Sequence, residues 1–131
     1  ELAYSWRKVM PALAEAGYHV VAPDQRGYGR TTGWDAEYDG PLTPFRPLNL
    51  LRDILGLLAA LGRRHVEAVI GHDFGSPIAA TCALVRPDVF RAMAMMSSPF
   101  PGPPKTPFEA PAAKADVHAD LAALARPRKH Y

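Results

Sequence analysis

The apolar positions of this chain follow two periods in alternation. Leu2, Trp6, Val9, Met10 and Leu13 recur at helical spacing, and Gly17 follows them. This pattern predicts an amphipathic helix over Ser5–Ala16, with Ser5 as its cap and Pro11 as an internal cost. Tyr18–Pro23 is then a short, nearly continuous apolar run, the signature of a strand buried on both faces. Residues 30–48 have no sustained period and hold Gly33, Gly40, Pro41, Pro44 and Pro47, so they read as a long loop. In that loop Trp34, Tyr38 and Phe45 are expected to pin the segment to the surface. Asn49 is placed to cap a second helix with the apolar face Leu50, Leu51, Ile54, Leu57, Leu58 and Leu61. Gly62 ends it, and Gly56 weakens it by about 1 kcal/mol relative to Ala.

A second apolar run, Glu67–His72, leads directly into Asp73-Phe74-Gly75-Ser76-Pro77 and a helical pattern to Arg86. Pro77 fits the first turn of that helix. Gly75, Ala79, Ala80 and Ala83 leave one side thin enough for close approach to a sheet. Pro87 stops the helix, and Arg91–Met96 is a further strand whose methionines are read as core filler. From Pro99 to Pro111 six of thirteen residues are proline, which excludes a helix or a central strand there. Ala112–Ala125 is read as a helix. The order of elements predicts an α/β fold with a parallel sheet, in which ligands bind at the carboxyl ends of the strands.

Asp73 occupies such a position. In Gly71-His72-Asp73-Phe74-Gly75 the two glycines remove Cβ atoms that would meet the backbone of a tight turn. Asp is among the residues that tolerate a left-handed conformation at its apex. The helix amino end that follows carries about half a positive charge and favours an ionised carboxylate or an adjacent oxyanion. The same geometry with Ser at the apex is the nucleophile turn of Gly-x-Ser-x-Gly hydrolases. A carboxylate there can attack carbon and form a covalent ester, which suits substrates carrying a leaving oxygen or halide. A plain glycine-rich turn capped by Asp is the alternative that the pentapeptide alone leaves open.

Composition narrows the partners. With 131 residues, a net charge of +2 and no basic stripe interleaved with aromatics, the chain is read as part or all of one domain that does not bind nucleic acid. The basic residues Arg126, Arg128 and Lys129 are read as solvated surface. A single cysteine, Cys82, excludes an internal disulfide framework and fits a reducing compartment, so a cytoplasmic location is expected. It is read as a small buried hydrophobe. No long apolar span suggests a membrane segment. No His/Cys/Asp spacing suggests a metal, and no cofactor is expected. Gly27-x-Gly29-x-x-Thr32 follows a strand but opens no helix, which argues against a dinucleotide loop, and a phosphate-loop Lys is absent.

Three blocks of this sequence together resemble the α/β-hydrolase superfamily, in its branch of epoxide hydrolases and haloalkane dehalogenases. They are Ser5-Trp6-Arg7 through Gly17-Tyr18; Val21-Ala22-Pro23-Asp24-Gln25-Arg26-Gly27-Tyr28-Gly29; and Gly71–Gly75 with Arg86-Pro87-Asp88-Val89-Phe90. The resemblance implies a partial hydrolase core over residues 1–100 and the start of a helical cap over 101–131. It implies that Asp73 is the nucleophile, that the Phe74 backbone N–H is one oxyanion donor, and that the substrate is a small-molecule epoxide or a related compound. Haloalkane dehalogenases typically carry Trp after the nucleophile to hold the halide. Phe74 has no side-chain N–H, which favours the epoxide reading.

The departures are equally specific. The family's His-Gly-x-Pro loop, the strand before it, and the later acid and His are not in this sequence. Tyr131 cannot be assigned to the cap tyrosines. His72 is expected to point away from the nucleophile, and His19, His65, His118 and His130 show no spacing that would pair them with a carboxylate. The missing strand belongs between the strand ending at Asp24 and the one ending at Asp73. The remaining strands are therefore expected to close the gap, leave it open or borrow a strand. A fragment of a longer enzyme, not competent for turnover, is the expectation. A haloalkane dehalogenase or other Asp-nucleophile hydrolase is one alternative. Another is a non-catalytic remnant that pairs with another chain through its open sheet. The oligomeric state is not legible.

Overall fold

The computed structural model describes residues 2–98 and 122–123. Apart from residues 122–123, the expected cap region and the helix over 112–125 lie outside the described residues, as do His118, His130, Tyr131 and the basic residues Arg126, Arg128 and Lys129. Backbone contacts divide the chain into Glu1–Phe100 and Pro101–Tyr131; the account below concerns the first.

The expected first helix is split. A 3₁₀ turn covers Ala3–Lys8, and helix α1 covers Met10–Glu15. Pro11 is the cause. It donates no N–H, and its ring would meet the carbonyl one turn back, so the α-helix begins just before it with Pro in its first turn. Ser5 therefore lies inside the 3₁₀ turn and caps nothing; Leu2 is at the cap position. Gly17, at φ +91°, ends α1: the Tyr18 N–H reaches the Leu13 carbonyl at 3.1 Å, and the Gly17 N–H reaches the Ala14 carbonyl at 2.9 Å.

Helix α2 spans Pro47–Ala60, so Pro47 and Leu48 belong to the helix and not to the loop. Pro at the first helical position loses only an N–H that has no partner there in any case. Asn49 is not the cap; its side-chain amide donates back to the Thr43 carbonyl at 2.8 Å, and a short 3₁₀ turn, Thr43–Phe45, leads into the helix. Gly62 ends α2 as expected, with the Arg63 N–H on the Leu58 carbonyl at 2.8 Å.

Strand β1 (Val69–His72), helix α3 (Gly75–Val85) and strand β2 (Met93–Met96) form a parallel βαβ unit. The register pairs Val69 with Met93 and His72 with Met96. Both strands are shorter than the apolar runs that contain them. Ala79 and Ala80 are buried, so the thin side of α3 does meet the sheet closely. The core is Leu50, Leu51 and Leu58 of α2 against Ile78 and Cys82 of α3, with Val89 and Phe90 from the loop after it. Burial raises the Cys82 thiol to about 11, in keeping with a packing role.

Two expectations fail at the sheet. Tyr18–Pro23 forms no strand, and Tyr18 and Val21 are exposed. Met93 and Met96 are also exposed, so they are not core filler. The first result has a plain cause. A strand needs a neighbour for its backbone groups, and among the described residues none lies between Tyr18–Pro23 and β1. The gap stays open as a trough of about 780 Å³, lined by Val20, Val21 and Ala22 on one side and Val69, Ile70 and Gly71 on the other, over Ile54 and Leu57. The Val69 N–H donates to the Ala92 carbonyl just before β2, and the Asp73 N–H to the Met96 carbonyl at its end, at 3.0 Å each. Parallel strands alternate the direction of these groups, so the backbone of Ile70 turns toward the trough.

The segment after Tyr18–Pro23 is held by side chains. The Asp24 carboxylate accepts the Ala3 N–H at 2.7 Å and the Arg30 N–H at 3.3 Å. Chiefly the first of these holds its carboxyl below the usual range. Gly29 sits at φ +55°, and a Cβ there would lie 2.1 Å from Asp24 Oδ2. The Gly27–Gly29 pair is thus a turn closed over a carboxylate. Arg26 pairs with Asp53 of α2 through two hydrogen bonds, one of 2.8 Å. Trp34 donates to the Thr31 carbonyl at 2.9 Å and meets Phe45 edge to face at 5.7 Å, so these two do pin the loop; Tyr38 is exposed.

Gly56 faces open space, and an added Cβ would meet nothing within 4 Å. Gly56→Ala is expected to raise stability by about 0.5–1 kcal/mol, measured by urea titration. An unchanged or lower midpoint would show that the position is not an unstrained, open site in the helix.

Candidate active site

The described residues place the apex of a strand-to-helix turn at Asp73. β1 ends at His72, Asp73 and Phe74 turn, and α3 begins at Gly75. Asp73 has φ +50°, the left-handed conformation expected at the apex. Among the described residues its only non-glycine companion in that region is Ser97, at φ +69°. Ser97 follows the end of β2 as Asp73 follows the end of β1, so the two strained residues lie side by side at the carboxyl edge of the sheet. Conformations of this kind cost of order 1–3 kcal/mol each and persist where the surroundings fix them.

The turn is tight enough to require Gly71. A Cβ there would lie 2.2 Å from the Gly75 carbonyl oxygen and 2.7 Å from the Ser76 nitrogen. The expectation fails for Gly75: a Cβ there would meet no backbone within 4 Å, only Gln25 Nε2 at 3.5 Å, an ordinary contact. That contact brings the loop after Tyr18–Pro23 beside the turn.

Asp73 is exposed, with its side chain outside the core. It stands between the carboxyl end of β1 and the amino end of an eleven-residue helix. Phe74 is 45% exposed and occupies the cap position of α3. The trough beside β1 is lined by His72, Phe74 and Gly75 but not by Asp73. It is a gap between chain segments.

Three imidazoles lie among the described residues. His72 Nε2 lies 2.8 Å from Ser97 Oγ, and Ser97 is the residue beside Asp73 in the strand register. His19 Nδ1 lies 3.2 Å from Arg63. His65 corrects the sequence reading, since its Nε2 comes within 3.8 Å of Glu67 Oε1. Both side chains of that pair are exposed and Glu67 also binds Arg91 at 3.0 Å, so it is a weak surface contact. Among the described residues no three His, Cys, Asp or Glu side chains converge as a metal site would need.

Two residues at the turn were given no role from sequence. Ser76 is fully buried, and its hydroxyl lies 2.8 Å from the Met96 carbonyl and 3.0 Å from the Gly71 carbonyl. Ser97 engages His72. A Ser in the first turn of a helix is a common local hydrogen-bonder, which hints at the first. The Met96 partner of Ser76 and the His72 partner of Ser97 lie 20 and 25 residues away, beyond the reach of local pattern.

Comparison with known proteins agrees with this geometry. Residues 2–128 match the model of the alpha/beta hydrolase fold family. The chain is 43% identical over 100 residues to an epoxide hydrolase of Caballeronia sordidicola, covering 76% of this chain and 29% of that protein. It is 39% identical over 128 residues to epoxide hydrolase B of Mycobacterium tuberculosis, covering 94% and 34%. Among solved structures it is similar to an epoxide hydrolase from an endophytic Streptomyces, with a TM-score of 0.68, 45% identity, and coverage of 76% and 28%. The chain thus spans about a third of the length of the relatives it matches.

Gly71→Ala is expected to cost more than about 3 kcal/mol, since the new methyl group would meet backbone and not a movable side chain. Denaturant titration measures this. A loss below about 1 kcal/mol would show that the turn opens cheaply.

Proposed function

The chain belongs to the alpha/beta hydrolase fold family and is epoxide hydrolase-like within it, and from that footing we propose that it carries the nucleophile of an epoxide hydrolase. In this reading Asp73 is the nucleophile and the Phe74 N–H is one donor to the oxyanion. The observation that carries it is an exposed carboxylate at φ +50° on a turn between β1 and α3. That turn belongs to a chain whose relatives named as epoxide hydrolases are about 40% identical to it.

The steps follow from the groups present. A carboxylate oxygen of Asp73 attacks one epoxide carbon. A new C–O bond forms, the ring C–O bond breaks, and the ring oxygen leaves as an alkoxide that takes up a proton. The product is a hydroxyalkyl ester of Asp73. Water then adds to the ester carbonyl, and the resulting oxyanion is held by backbone N–H groups at the start of α3. Collapse of this intermediate releases the diol and restores the carboxylate. The diol oxygen made in the first step comes from Asp73, and water replaces it in the enzyme.

In this reading the described residues supply the nucleophile, and no base is assigned among them: His19, His65 and His72 engage Arg63, Glu67 and Ser97. The 131-residue chain is therefore read as not competent for sustained turnover. The haloalkane dehalogenase alternative is disfavoured by Phe74, whose side chain offers a departing halide no donor.

In the full-length enzyme, one turnover of styrene oxide in ¹⁸O-water is expected to label the peptide holding Asp73 and leave the first diol unlabelled. Asp73→Asn should abolish ester formation; diol production at the original rate would rule out the assigned role. Halide release from a haloalkane with no diol from the epoxide would favour the alternative. The 131-residue chain assayed alone is expected to give no sustained diol formation, and robust Asp73-dependent turnover by it would overturn the division of labour.

A further inference from the structure

We infer that Ser76 is a positioning residue whose buried hydroxyl fixes the backbone that carries Asp73. The inference rests on Asp73 being the nucleophile.

A closed circuit of hydrogen bonds supports it. The Asp73 N–H donates to the Met96 carbonyl at 3.0 Å, and the Asp73 carbonyl accepts the Ser76 N–H at 3.0 Å. Ser76 Oγ lies 2.8 Å from that same Met96 carbonyl and accepts the Met96 N–H at 3.2 Å. Both backbone groups of Asp73 therefore end on the Ser76–Met96 pair, and the Ser76 hydroxyl joins the two halves. A hydroxyl has one hydrogen, so it donates to Met96 or to the Gly71 carbonyl, 3.0 Å away, at any one time. Either choice ties α3 to the end of a strand.

The tie acts where strain is held. Asp73 is at φ +50°, a conformation that its surroundings must impose. Ser76 is 0% exposed, so water does not compete for its bonds or replace them. Without the hydroxyl, the bonds of the Asp73 N–H and carbonyl remain, but the side-chain tie from α3 to the strand ends is lost. The apex then gains freedom about its own backbone bonds, and the carboxylate no longer returns to one position. A displacement of about 1 Å at a reacting atom can cost about a hundredfold in rate.

The test uses the full-length enzyme, styrene oxide as probe, and single-turnover trapping of the Asp73 ester. Ser76→Ala is expected to slow ester formation per folded molecule about 10–100-fold, with little change in substrate affinity. It should also speed hydrogen exchange of the Asp73 amide. A variant that melts earlier yet forms the ester at the original rate would overturn the proposal and leave Ser76 a structural residue. Should Ser76→Ala fail to fold, Ser76→Cys, similar in volume but a poor donor, is read in the same way. If no Asp73 ester is trapped even with Ser76 in place, the nucleophile reading itself fails. Ester in both proteins at equal rates defeats only the role of Ser76.

Discussion

The site depends on one hydrogen bond acceptor, the carbonyl of Met96. It ends the ladder between β1 and β2 by accepting the Asp73 N–H, and it lies within bonding distance of the buried Ser76 hydroxyl. The last rung of the sheet and the first turn of α3 thus meet at one oxygen. A parallel pair of strands is joined by a crossing helix, so the turn from β1 into α3 is unavoidable. What is particular here is its sharpness. Gly71 faces the Gly75 carbonyl with no room for a methyl group, and the residue left at the apex can only project outward.

Local chemistry was legible in the sequence because it is local. Gly17 and Gly62 end helices through bonds to residues a few positions back, and Gly71 and Gly75 bracket a five-residue turn. Asp73 at its apex follows from the same short range. Ser5 and Asn49 failed as caps because a proline in each segment moved the helix start. Pro11 and Pro47 fix the first turn wherever they stand, and that constraint outweighs the capping preference of a polar residue nearby. The proline was visible in both cases, and its position was the better signal.

What was not legible depends on neighbours distant in sequence. Tyr18–Pro23 has the composition of a doubly buried strand, yet it forms no strand and is partly exposed. Composition reports the environment a segment is suited to, and pairing decides whether it has that environment. The same reasoning explains Met93 and Met96. Strand β2 rests against α3 on one side, and among the described residues nothing covers the other. The resemblance anticipated a gap between Tyr18–Pro23 and β1, but not its outcome. It stays open because the side-chain anchors of the following loop, Asp24 to the Ala3 backbone and Arg26 to Asp53, hold that segment in place without the ladder.

These anchors separate two requirements of the chemistry. A nucleophile has to be aimed, and it has to be shielded. Aiming is done by backbone: the ladder, the turn, the Ser76 hydroxyl and the start of α3 all act on the main chain of residues 71–76. Shielding is a different matter. Asp73 and Phe74 are exposed, and a charge in water interacts about four times more weakly than at an effective dielectric of 20. An oxyanion beside the Phe74 N–H would be screened to the same degree, and water would compete for the donor. In the proposed reading, the described residues therefore hold Asp73 at the apex in an environment that leaves its electrostatics weak. Whatever covers the carboxyl edge of this sheet would strengthen every interaction there without moving Asp73, which is why the turn can be rigid in a chain that exposes it.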